Sequence, residues 1–146
     1  MTRAEIRAFI KSGVDALNKS IPFNSGRLSE FNSQRSNEYP YIWLESLSVV
    51  PVYSTNGAPM DDWNIIIHIA KQDKPDSIAE QYESLVDDCD YIAQQLAKTY
   101  NDLLEDSKMV VLSGASRDPF IKKHADCLTG VIFTFNLNTW DKSSFC

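Results

Sequence analysis

The chain is 146 residues long, 43% hydrophobic and 23% charged, which suits one globular domain and argues against global disorder. Its net charge of −6 repels nucleic-acid phosphate, and no apolar run is long enough to span a bilayer or open the chain as a secretory leader. Three widely spaced cysteines, Cys89, Cys127 and Cys146, form neither a disulfide framework nor a zinc pattern, so reduced thiols in a cytosol-like compartment are expected.

The first predicted element is a helix. Thr2 and Glu5 have capping-box spacing, and Ile6, Phe9, Ile10, Val14 and Leu17 follow at helical intervals. Arg3, Arg7 and Lys11 lie on its other faces. Gly13 weakens the helix slightly, and Ile21-Pro22 should end it. Residues 20–38 are rich in turn formers and read as a long polar loop, anchored only by Phe23, Leu28 and Phe31.

Tyr39 to Tyr53 reads as one strand, with Pro51 placing its end at an edge or a bulge. Asn56-Gly57 signals a turn. Trp63 to Ala70 is a second strand, with Trp63, Ile65, Ile67 and Ile69 on one face, and the two strands should form an antiparallel hairpin. A long helix then opens at a Ser77–Glu80 capping box. Its apolar stripe runs through Ile78, Tyr82, Leu85, Val86, Cys89, Ile92, Ala93, Leu96 and Leu103. Met109 to Leu112 reads as a short buried strand closed by Ser113-Gly114. Val131 to Trp140 is the last strand, with Val131, Phe133, Phe135 and Leu137 inward, and the tail from Asp141 is polar.

This order predicts a single α+β domain over 1–146: a mostly antiparallel sheet of about four strands with two helices on one face.

Candidate chemistry is sparse. Asp87, Asp88 and Asp90 suggest a metal or acid–base site, but a solvated helix face explains them better. Asp61-Asp62 suits a turn before a strand. His68 should be a half-buried sheet residue facing away from Ile67, and Cys89 a core residue. His124, Asp126 and Cys127 are close in sequence, but a nucleophile pair needs spatial adjacency and an orienting group. No phosphate-cradling, nucleophile-elbow or zinc-protease motif occurs. No catalytic residue, cofactor or metal site is expected.

The one basic segment lies in a hairpin loop expected at about 115–128. There Arg117, Phe120, Ile121, Lys122 and Lys123 form a candidate subunit-contact loop, with apolar anchors flanked by charges that complement an acidic neighbour. Other copies of this chain carry such acid on the long helix, so head-to-tail ring assembly is physically reasonable.

The element order and the closing stretch Gly130-Val131-Ile132-Phe133-Thr134-Phe135-Asn136-Leu137, followed by Asp141 and Cys146, resemble the small tail-terminator and tail-completion (head–tail connector) proteins of tailed bacteriophages. The resemblance implies a non-enzymatic virion protein, assembled in the host cytoplasm into a homo-oligomeric ring at the portal–tail joint. Its partners would be copies of itself and neighbouring virion proteins, either the portal or connector or the tail tube. No membrane is implied, and DNA enters only as cargo passing through a channel. The polar loop would contact neighbouring subunits or rings. The alternatives are a small intracellular adaptor and, third, an enzyme with an unfamiliar site.

Overall fold

A computed structural model describes residues 1–17, 19–27, 40–53, 59–105, 110–123 and 127–140. Among the described residues, two helices, α1 (Arg3–Ala16) and α2 (Ala79–Leu104), accompany six strands. These are β1 (Phe23–Gly26), β2 (Tyr41–Glu45), β3 (Ser48–Tyr53), β4 (Pro59–Gln72), β5 (Val110–Lys123) and β6 (Leu128–Trp140). The sheet order is β1-β2-β4-β6-β5, and β3 also pairs with β4. The β1–β2 pair is parallel and the rest are antiparallel, so the sheet is mixed.

The α+β class matches the expectation, but the strand count does not. β1 lies inside the stretch read as polar loop, because Phe23 packs against the core. Residues 28–38 of that loop lie outside the described residues. The expected strand from Tyr39 to Tyr53 breaks at Ser46-Leu47 into β2 and β3. Both sit end to end on one side of β4, which is 14 residues long and can host two short partners. The hairpin is formed by β3 and β4. Asp61 and Asp62 belong to β4, opposite Pro51 and Val50, rather than to a turn. The Asn56-Gly57 turn and the tail from Asp141 lie outside the described residues.

The main core lies between the helices and one face of the sheet. It joins Ile6, Ile10 and Val14 of α1 and Cys89, Ile92, Ala93 and Leu96 of α2 to Trp63, Ile65, Ile67 and Ile69 of β4 and Val131, Phe133, Phe135 and Leu137 of β6. The alternation read from the sequence is that of the buried faces. Thr2 and Glu5 form the reciprocal cap of α1. The start of α2 shifts by one residue: the Ile78 amide donates to Gln81 Oε1 at 3.1 Å, and Ser77 is buried outside the helix. Ile78 and Leu103, placed in the apolar stripe by spacing, are exposed: Ile78 is the N-cap of α2, and at the other end Leu104 rather than Leu103 packs against the core.

α1 and α2 meet through Gly13 and Tyr100. A Cβ at residue 13 would fall inside the Tyr100 ring. The Tyr100 hydroxyl crosses the gap and donates to the Ile10 carbonyl at 2.9 Å. Burial raises that phenol far above its ordinary pKa, so it stays a donor.

The sheet face opposite α1 and α2 carries a second, smaller cluster of Tyr41, Trp43, Ala70, Phe120 and Leu128, with Ile132 against it. Trp43 Nε1 donates to the Gly26 carbonyl at 3.2 Å, tying β2 to β1. Gly130 allows close approach here, since a Cβ would fall on the Ile69 carbonyl oxygen.

Candidate interaction surface

The segment read as a basic loop is the second half of β5. Strand β5 runs past Ser113-Gly114, which forms a bulge rather than an end. Gly114 has φ +65°, a backbone conformation that glycine takes without strain, and Pro119 is tolerated because β5 lies at the sheet margin. These punctuation signals are compatible with an edge strand, and among the described strands its pairing is with β6.

Pairing to β6 sends alternate residues to opposite faces. Phe120 is 2% exposed and belongs to this second cluster, tilted against His68 at 6.2 Å. It is therefore a core residue and not an outward anchor. Ile121 is exposed beside α2. Arg117 reaches the α2 acid of its own chain: its guanidinium lies 3.2 Å from Asp90 Oδ2. Lys122 has φ +52° at the second bulge. Its Nζ donates to the Ser77 carbonyl at 2.6 Å and lies 5.4 Å from the centre of the Tyr82 ring. Lys123 is exposed.

Asp73 anchors this bulge. Thr129 Oγ1 donates to Asp73 Oδ2 at 2.6 Å and accepts from the Lys122 amide at 3.0 Å. Burial pushes the Asp73 carboxyl up, but hydrogen bonds from Thr129 and the Lys74 amide, with the nearby Lys122 charge, hold it below its ordinary range.

The carboxylates considered for catalysis separate. Asp88 pairs with Lys71 at 3.0 Å and Asp90 with Arg117, while Asp87 is exposed. Among the described residues, no three His, Cys, Asp or Glu side chains are grouped to hold a metal. Also among them, no helix is long and apolar enough to cross a membrane. His68, 3% exposed, faces away from the main core, and its Nε2 lies 2.9 Å from Glu45 Oε1. Cys89 is buried in the main core, and burial pushes its thiol up to about 12, which keeps it unreactive. His124, Asp126 and Cys146 lie outside the described residues.

Sequence reasoning missed the opposite margin. β3 reads Ser-Val-Val-Pro-Val-Tyr and carries no charge. Val50 is 61% exposed and Tyr53 75% exposed, and no described strand covers the strand's outer side. Pro51 had flagged an edge, but not an exposed apolar one. Beside this margin, Arg3 and Arg7 of α1 line an open cleft of about 430 Å³ with Ser25, Gly26 and the Leu44–Leu47 corner. Arg3 lies 5.6 Å from the centre of the Trp63 ring.

No protein-family model matches this chain, and no curated protein matches it significantly in sequence.

Proposed function

We propose that the chain is a non-enzymatic structural subunit of a phage virion that closes into a ring of identical copies at the portal–tail joint, as a tail terminator or head–tail connector. The observation that carries this reading is the apolar edge at β3, whose outer side no described strand covers. Exposed, uncharged edge strands invite pairing with another chain, and folded proteins normally blunt them with charge. Here Pro51 is the one blunting residue in Ser48–Tyr53. The two margins of the sheet differ, β3 on one side and β5 on the other. A contact that joins two unlike surfaces is heterologous, and it closes into a ring when the rotation allows. The net charge of −6 suits a channel through which DNA slides without sticking.

The test is light scattering after size exclusion, with negative-stain imaging of the same peak, on the native chain and on Val50→Lys. Closed rings of one subunit number in the native chain, lost in the variant with its thermal stability unchanged, support the reading. A native chain that stays monomeric at every concentration, or stops at a dimer, overturns it.

A further inference from the structure

The ring reading leaves open what faces the β3 margin across the subunit boundary. A groove between α2 and β5 is lined by Tyr82, Val86, Pro119 and Ile121, and it is rimmed by Glu83 and Asp87. Its volume is about 360 Å³. Glu83 and Asp87 are exposed, and two nearby cations are already engaged: Arg117 on Asp90, and Lys122 on the Ser77 carbonyl and Tyr82. The groove therefore presents an apolar floor with acid along one wall.

The opposite margin carries the complementary sign. Arg3 and Arg7 are one helical turn apart on α1, both exposed, and both line the cleft beside β1 and the β2–β3 corner, where Glu45, the one carboxylate among the described lining residues, already meets His68. α1 and α2 pack on the same face of the sheet, so the basic and the acidic surface belong to one layer of the molecule, at its two sides. A single copy cannot bring them together.

Resting on the ring reading, we propose that the groove between α2 and β5 is the seat for a second copy of this chain, which lays the Arg3–Arg7 edge of its α1 against Glu83 and Asp87. Complementary charge sets the direction of approach and the register, and the apolar floor supplies burial. The same approach brings the β3 margin of one copy toward the β5 side of the next.

The experiment is sedimentation velocity over a concentration series on four full-length chains: native, Arg3→Glu/Arg7→Glu, Glu83→Lys/Asp87→Lys, and all four substitutions together. Each pair should raise the concentration of half-association about tenfold or more, because attraction becomes repulsion. The fourfold variant should return it to within a few-fold of native, since the charges are exchanged rather than lost. Thermal unfolding checks the fold. If the α1 pair unfolds, Arg7→Glu alone replaces it, leaving Arg3 over Trp63. Association that ignores both reversals, or a fourfold variant no better than either pair, overturns this contact and leaves the ring standing. A charge-sensitive dimer with fourfold rescue keeps the contact and removes the ring. A native monomer at all concentrations removes both.

Discussion

The two margins of the sheet differ in how their interactions are used. At β5 several distinctive groups are engaged within the chain, although Ile121 and Lys123 stay exposed. Phe120 fills the second cluster, Arg117 meets Asp90, Lys122 reaches Ser77, and Asp73 with Thr129 pins the bulge. At β3 Val49 packs against the core, but Val50 and Tyr53 are mostly exposed. A charged, irregular segment thus supplies several fastenings of the fold, while the valine-rich strand leaves apolar area exposed. Charge draws the eye in a sequence, yet unsatisfied apolar area is the better sign of a missing partner.

Three substitutions test how firmly the β5 margin is fastened. Phe120→Ala has the largest expected effect, since it empties a buried aromatic site. It should cost about 3–5 kcal/mol of unfolding free energy, measured by denaturant titration. A loss below about 1 kcal/mol would mean that Phe120 is not a core residue. Asp73→Asn comes next, at about 1–3 kcal/mol near neutral pH, for the loss of a charge-assisted hydrogen bond. The folded carboxyl lies below its unfolded value of about 3.9. Its stabilisation is therefore fully present above that pH and is lost as pH falls through the folded value. Melting curves of native and variant protein should converge as the pH drops below about 4. A constant gap would exclude the carboxylate as the source. Arg117→Ala should have the smallest effect, below about 1 kcal/mol, because the pair with Asp90 is partly solvated. An effect of several kcal/mol would show that the side chain braces α2 against β5 by packing as well as by charge.

Much of the main core was legible because it obeys a period. Ile65, Ile67 and Ile69 alternate, Val131 to Leu137 alternate, and Ile6, Ile10 and Val14 recur at helical spacing, so each burial pattern follows from local geometry. The remainder depends on long-range pairing. Nothing local reveals that β4 carries β2 and β3 end to end, or that Gly114 and Pro119 punctuate a strand instead of ending it. Phe120 looked available because its neighbours are charged. Only register with Gly130 and the cluster around Trp43 sends it inward. The candidate surface was therefore half legible: the basic segment stood out, but the apolar edge opposite did not, because valines in a strand look the same whether or not a neighbour covers them.

The Gly13–Tyr100 contact has a bearing on how this sequence can drift. The ring occupies the space a side chain at residue 13 would need, and its hydroxyl grips the adjacent turn of α1 through the Ile10 carbonyl. A larger residue at 13 is admissible only beside a smaller one at 100, and shrinking residue 100 first opens a void and forfeits the tether. The two positions are therefore coupled: a side chain added at 13 needs a smaller one at 100.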